Sequence, residues 1–161
     1  MLPHGGPKRQ FYRDLADSVG ALLEGEPDAV ANLSNASALL AEALEGINWC
    51  GFYFLRGGEL VLGPFQGKPA CVRIVLGKGV CGTAAERRET LVVPDVNAFP
   101  GHIACDDASR SEIVVPIVAG GQLRGVLDVD APETNRFDDE DRRGLEAFVA
   151  ALVPKIDWSR L

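Results

Sequence analysis

The sequence predicts an α+β fold in which one central, mostly antiparallel sheet carries the N- and C-terminal helices on one face. Helical spacing of apolar residues dominates the two ends of the chain, whereas the middle holds apolar runs in pairs. The runs of each pair flank two glycines, Gly57-Gly58 or Gly120-Gly121, which is typical of β-hairpins. The chain has 161 residues, 47% of them hydrophobic, which suits one domain with a substantial core. We expect a single domain over residues 1–161, with residues 1–9 as a loose tail.

The N-terminal part of the chain predicts two helices. The stretch KRQFYRDLADSVGALLEG places Phe11, Leu15, Val19 and Leu22 at helical spacing. The stretch DAVANLSNASALLAEAL reads as a second helix, and Asp28 at its start is a typical N-cap residue.

The middle of the chain predicts the sheet. Strands are expected at INWCGFYFL (47–55) and ELVLGPF, which form the first hairpin, and at ACVRIVL (70–76) and TLVVPDV. The stretch GKGVCGTAAERRE (77–89) predicts a turn into a short helix, and residues 97–111 predict a long loop. The second hairpin consists of EIVVPIV and QLRGVLDVD. A closing helix, FDDEDRRGLEAFVAALV, has acidic residues in its first turn, where the helix dipole favours them.

Composition argues against several classes of partner. The net charge of −7 disfavours nucleic acid and anionic membrane surfaces, because both call for a basic face. No apolar run approaches the ~20 residues that span a bilayer. The start, MLPHGGPKRQ, has no apolar stretch behind its charges, so we expect no secretory signal and a cytoplasmic protein. Its four cysteines should then be reduced on average.

The cysteines differ in their sequence surroundings. Cys50 lies in an aromatic run, so we expect it to be a buried core residue. Cys71 begins a predicted strand, and Cys81 lies between glycines near a helix N-terminus, where a thiolate would be stabilised. Cys105 lies on a polar loop and is a candidate nucleophile. Neither a CxxC pair nor a papain-like triad is present, so zinc and cysteine-protease chemistry are not expected.

Three carboxylates converge on the second hairpin. Asp128 and Asp130 are two residues apart, so a strand points them to the same face, either exposed or in a pocket. A regular two-residue turn would pair Glu112 with Val129, whereas a three-residue loop or one bulge would bring Glu112 to the face of the two aspartates. Three neighbouring carboxylates cannot all ionise freely, so at least one pKa must rise. The result would be a proton donor beside the candidate thiol.

Four segments of the chain carry the motifs of a known family. They are INWCGFYF, GKGVCGTAAE, TLVVPDVNAFPGHIACDDASRSEIVVPI and GVLDVDAP. Together they resemble the free methionine-(R)-sulfoxide reductases, which are built on a GAF domain, and the resemblance covers roughly residues 10–155. Generic GAF domains share strands like GVLDVD but not the three cysteines with their linking segment.

The resemblance implies a role for each candidate residue. Cys105 would be the nucleophile that attacks the sulfoxide sulfur, Cys71 the main resolving cysteine and Cys81 a second one. An acidic cluster would bind the substrate and help to protonate the leaving oxygen, and aromatic residues would wall the substrate's methyl group and line the pocket. The cluster consists of Glu112, Asp128 and Asp130, and the aromatic residues are Trp49 and Tyr53.

The resemblance also implies the partners. The substrate would be free methionine-(R)-sulfoxide, the nucleophile would become a sulfenic acid and then a disulfide, and thioredoxin would reduce that disulfide. Neither a metal nor an organic cofactor is implied, and the activity would belong to the oxidative stress response. An acidic pocket suits the ammonium group of a free amino acid, which a peptide lacks. Whether the chain forms a homodimer stays open.

Two other functions compete with this interpretation. One is a GAF ligand-sensing module for a cyclic nucleotide or a bilin, although three acids suit a phosphate poorly. The other is a thiol redox sensor without a substrate, switched by a Cys71–Cys105 disulfide. Trp49 and the acidic cluster favour a small-molecule pocket over such a sensor.

Overall fold

The fold is the predicted α+β architecture, seen in a computed structural model that describes residues 7–103 and 108–161. Six strands form one antiparallel sheet with the order β3-β2-β1-β6-β5-β4. The strands are β1 (Trp49–Arg56), β2 (Glu59–Gln66), β3 (Arg73–Val75), β4 (Leu91–Val93), β5 (Ser111–Ala119) and β6 (Gln122–Ala131). The helices are α1 (Lys8–Leu22), α2 (Ala29–Ala43), α3 (Gly79–Arg87) and α4 (Asp139–Leu152).

The two faces of the sheet are covered differently. The terminal helices α1 and α4, together with α2, pack on one face and form the larger core with residues such as Leu15, Phe52, Leu127 and Phe148. This confirms that the N- and C-terminal helices share a face. The short helix α3 packs on the other face over a second, smaller core. None of the helices in the described ranges is long and apolar enough to cross a bilayer.

Local signals account for the helix boundaries. The Asp28 carboxylate accepts a hydrogen bond of 2.8 Å from the Ala31 backbone N–H, which confirms it as the N-cap of α2. At the start of α4, Asp138 and Asp141 each accept a hydrogen bond from the other's backbone N–H, in a reciprocal capping box. The acidic first turn of α4 is also as predicted.

The strand predicted over residues 70–76 is shorter in the structure, where β3 covers Arg73–Val75. Cys71 therefore lies before the strand and does not begin it. Its carbonyl accepts a hydrogen bond of 2.9 Å from the Tyr53 hydroxyl, so a side chain on the sheet takes the place of a ladder partner. Pro69 lies just upstream and has no backbone N–H to donate to a sheet.

Candidate active site

A bulge in the second hairpin brings the three carboxylates to one face. Gly120 and Gly121 form a two-residue turn with left-handed φ angles of 62° and 75°. The register then shifts by one residue between Ile117 and Val118, so that Glu112 pairs with Asp130. The bulge alternative is thus the one adopted, and Glu112, Asp128 and Asp130 lie on the face covered by α3.

The sheet needs a glycine close to this bulge. Gly125 on β6 lies opposite Phe54 of β1. A Cβ atom on Gly125 would come within 1.9 Å of the Tyr53 carbonyl oxygen. Any side chain here would push β1 and β6 apart.

Strand β1 contributes the aromatic wall. Trp49 pairs with Asp130 across the strands, and its indole stacks on Phe65 at 5.3 Å and on Tyr53 at 6.0 Å between ring centroids. The indole N–H donates a hydrogen bond of 3.1 Å to the Lys68 carbonyl. These contacts fix the ring in one orientation against the carboxylates.

The carboxylates and the aromatic wall enclose a cavity of about 50 Å³, which has room for a few water molecules. Its floor is the sheet, and its roof is formed by the N-terminal turn of α3 and by parts of the neighbouring loops. The lining residues are Trp49, Tyr53, Pro69, Ala70, Ile74, Lys78, Gly79, Val80, Cys81, His102, Ile103, Ser109, Glu112, Asp128 and Asp130.

The carboxylates of the cavity are almost fully buried. Glu112 is 7% exposed, Asp128 6% and Asp130 9%. Burial, together with the neighbouring carboxylates, raises the pKa of Glu112 and of Asp128 well above the ordinary range. Protonated acids therefore persist in this cavity toward neutral pH. Among the described residues, one oxygen of Asp128, Oδ1, is buried without a hydrogen-bond partner.

Cys81 lies in the cavity, but its environment differs from the one its sequence position suggests. Its Sγ is 3.9 Å from Glu112 Oε2. Burial raises the pKa of the Cys81 thiol well above normal, and the charges of Asp128 and Glu112 raise it further. The expectation of a stabilised thiolate is therefore wrong, because burial and the neighbouring carboxylates both favour the protonated thiol.

The other cysteines lie in different surroundings. Cys71 is half-buried and disulfide-bonded, while Cys50 and Cys81 are free thiols. Cys50 is fully buried in the larger core, as predicted, and burial raises its pKa to about 12. Cys105, the predicted nucleophile, lies outside the described residues.

Comparisons with known proteins agree on the family. The model of the GAF domain matches residues 33–154. A free methionine-R-sulfoxide reductase from Escherichia coli is 55% identical, over 90% of this chain and 88% of the relative. The chain belongs to the free methionine-R-sulfoxide reductase family of GAF domains. A reductase of the same name from Saccharomyces cerevisiae is 48% identical over 92% of this chain and 86% of its own.

Solved structures place this free methionine-R-sulfoxide reductase family member in the same fold. The X-ray structure of free methionine-R-sulfoxide reductase from Neisseria meningitidis, in complex with its substrate, superposes with a TM-score of 0.91. It is 42% identical, and the match covers 99% of this chain and 98% of that one. The resemblance inferred from the four sequence motifs is therefore confirmed at the level of family and fold.

Sequence reasoning missed several residues that line the cavity of this family member. Lys78 precedes the first turn of α3, and His102 approaches from the loop after β4 with its pKa lowered by burial. Ser109 accepts a hydrogen bond of 3.1 Å from the Asn48 side-chain amide. The glycines around Lys78 were a usable signal for a tight turn over a ligand, whereas Ser109 carried no local signal.

Proposed function

We propose that this protein reduces free methionine-(R)-sulfoxide to methionine in the cavity between β1, β5, β6 and α3. The observation that carries the proposal is the buried cluster of Glu112, Asp128 and Asp130 beside the fixed indole of Trp49. A buried acidic cluster beside an aromatic ring suits a small ligand with a cationic group and an apolar end. Relatives across most of the chain bear the name of that reductase.

The reaction needs a proton at the leaving oxygen, and the cluster has one to give. A sulfoxide oxygen leaves the sulfur only after it has been protonated. Glu112 and Asp128 retain protons because burial raises the pKa of each. We assign the proton donor to this pair and the methyl wall to Trp49, with Tyr53 beside it.

The thiol steps balance with two cysteines. The Cys105 thiol attacks the substrate sulfur, methionine departs, and the oxygen remains on Cys105 as a sulfenic acid. The Cys71 thiol then condenses with this sulfenic acid, which gives a disulfide and water. That Cys71 is in a disulfide while Cys50 and Cys81 are free thiols supports this pairing.

Cys81 is proposed as the second resolving cysteine. It lines the cavity and contacts Glu112 of the acidic cluster, so its thiol lies close to the proposed substrate site. Its raised pKa keeps the thiol protonated and therefore slow to attack, which supports Cys71 as the main partner. The Tyr53 hydroxyl, bound to the Cys71 carbonyl, holds the Cys71 segment at the cavity edge.

The cavity offers partners for both charges of a free amino acid. The acidic cluster suits the ammonium group, and Lys78 supplies a positive charge at the rim. No side chain of the described residues caps the N-terminus of α3, so its backbone N–H groups and its dipole favour a carboxylate there. A peptide-bound methionine sulfoxide has neither of these charges, and the polypeptide on both sides of it would also have to fit at the cavity.

The remaining expectations concern partners and setting. Thioredoxin is the proposed reductant, since the cycle ends in a disulfide that needs an external dithiol. Oxidative stress supplies the substrate, and the cytoplasm is the proposed compartment because the cycle starts from reduced thiols.

The second candidate is a redox sensor that forms the same disulfide without turning over a substrate. The disulfide at Cys71 favours it, since a sensor would need nothing more. A buried acidic cavity beside a fixed indole has no purpose in such a switch. A GAF sensor for a phosphate-bearing ligand is disfavoured because Glu112, Asp128 and Asp130 would repel it.

The deciding experiment supplies the reduced protein with each epimer of free methionine sulfoxide and either dithiothreitol or a thioredoxin system. We expect dithiol-dependent loss of the R epimer alone, with methionine formed in equal amount. Cys105→Ser should abolish the activity, whereas the matched variant Cys50→Ala should retain it. Oxidation of the protein without methionine formation would support the sensor, and activity in Cys105→Ser would refute the assigned nucleophile.

A further inference from the structure

We propose that the cavity also binds a divalent cation of the Zn²⁺ class, held by the thiolate of Cys81 and the carboxylates of Glu112 and Asp128. The three side chains come from three separate elements, α3, β5 and β6. One donor atom from each lies within 4.8 Å of the other two, and all three residues are buried. The fold therefore brings together three metal-ligating groups that are distant in sequence.

The spacing of the donor atoms fits a small cation. Around four-coordinate zinc, a thiolate sulfur and carboxylate oxygens at their usual distances are roughly 3.5 Å apart. Cys81 Sγ and Glu112 Oε2 are already 3.9 Å apart. Since all three donor atoms lie within 4.8 Å of one another, they need to close by at most about 1.3 Å to reach this spacing. The cavity leaves room for water as the fourth ligand.

A separate observation points to a missing cationic partner. Asp128 is 6% exposed, and its Oδ1 atom has no hydrogen-bond partner in the part of the chain that the structure describes. Leaving such an acceptor unpaired is costly, and a cation would satisfy it. Within the described ranges, Glu112 and Asp128 take part in none of the ion pairs.

The donor set selects the class of cation. One sulfur and two oxygens suit Zn²⁺ and Co²⁺, whereas Mg²⁺ and Ca²⁺ prefer shells made of oxygen alone. On binding, the Cys81 thiol and the carboxyl groups of Glu112 and Asp128 release the protons they hold, and the sulfur and one oxygen of each carboxylate form the bonds to the metal. The disulfide at Cys71 leaves this donor set intact, so the site is present in the oxidised protein.

A bound cation would also regulate the site. The metal would occupy the place that we assign to the substrate ammonium group, so Zn²⁺ should raise the apparent KM for free methionine sulfoxide. This consequence rests on the proposed function, whereas metal binding itself does not.

The test uses the oxidised protein, so that Cys71 cannot bind the metal, and Co²⁺ as a spectroscopic probe. We expect one equivalent of Co²⁺ to give the near-ultraviolet charge-transfer band of a cobalt–thiolate bond and the visible bands of a four-coordinate ion. Cys81→Ser should lose the charge-transfer band, and Cys50→Ala should keep it. The comparison is matched, because each variant removes one of the two free thiols that lie within residues 7–103 and 108–161.

A second measurement covers the case in which Cys81→Ser fails to fold. Glu112→Gln and Asp128→Asn should each weaken Zn²⁺ binding at least about tenfold, read by competition with a chromophoric chelator. The proposal is overturned by the absence of a charge-transfer band at millimolar Co²⁺, by the same band in a folded Cys81→Ser variant, or by unchanged Zn²⁺ affinity in both carboxylate variants. An inactive protein that gives the band would refute the proposed reductase and leave the metal site standing.

Discussion

Glu112 on β5 lies directly opposite Asp130 on β6, one strand away from Trp49 on β1. This pairing depends on the one-residue register shift near the end of the hairpin, because an unshifted ladder would put Glu112 on the other face of the sheet. The site therefore depends on a local irregularity in the backbone. The stability of the bulge and the cost of the buried acids are both open to measurement.

Gly125→Ala should destabilise the protein by at least about 2 kcal/mol. The added Cβ would meet the Tyr53 carbonyl oxygen at 1.9 Å, and two paired strands cannot separate without loss of the ladder. Urea unfolding measures the change. The matched control is Gly20→Ala in α1, where a Cβ meets nothing within 4 Å and alanine favours the helix. Equal stability of Gly125→Ala and the wild type would contradict the packing described for β1 and β6.

Asp128→Asn should stabilise the ligand-free protein, and increasingly so as the pH rises. Burial raises the pKa of Asp128 in the folded state, so the folded protein holds a proton that the unfolded chain releases above about pH 4. The contribution of the Asp128 carboxyl group to the free energy of unfolding is complete below that pH. It is lost progressively as the pH rises toward the alkaline range. We expect the variant to gain roughly 1–2 kcal/mol near pH 8 and much less near pH 5.

Thermal unfolding at both pH values measures the effect of Asp128→Asn. The control is Asp17→Asn, which replaces an exposed carboxylate on α1. A gain in the Asp128→Asn variant that is the same at both pH values, or that shrinks as the pH rises, would contradict a raised pKa at this position.

Cys71→Ser should complete one turnover and then stall. The sulfenic acid would form on Cys105 but would lack its main resolving thiol, and Cys81, held protonated by burial, would resolve it slowly. Rapid-quench analysis should show about one equivalent of methionine per protein, and mass spectrometry should show an oxidised Cys105. The steady-state rate with thioredoxin should fall at least about tenfold. A full rate with thioredoxin would remove Cys71 from the proposed cycle.

The sequence predicted the layers of the fold because its hairpins and helices carry local signals. Gly57-Gly58 and Gly120-Gly121 mark both tight hairpins, and Asp28 marks the start of a helix. The position of Glu112 was predictable only as a choice between two registers, since a bulge depends on the packing of neighbouring strands. Gly125, next to this bulge, leaves no room for a Cβ atom, and only the structure shows this constraint.

Predictions that depended on distant residues were less successful. The helix N-terminus near Cys81 suggested a thiolate, but burial raises the pKa of the thiol, and carboxylates from two other strands raise it further. A strand was expected to start at Cys71, yet Tyr53, far away in sequence, binds its carbonyl instead. Local sequence cannot show which charges or hydroxyl groups the fold brings next to a side chain.

The central claim is that the buried acids select a free amino acid. The most direct test compares free methionine-(R)-sulfoxide with its N-acetylated, C-amidated form, using the same reductant. The blocked form has no ammonium group for the cluster of Glu112, Asp128 and Asp130, and each buried bond left unmade costs about 1–3 kcal/mol. We predict that kcat/KM for the free form is at least about a hundredfold higher. Similar values for the two forms would contradict the account. They would mean that the cavity admits a blocked substrate and that its acids do not bind the ammonium group.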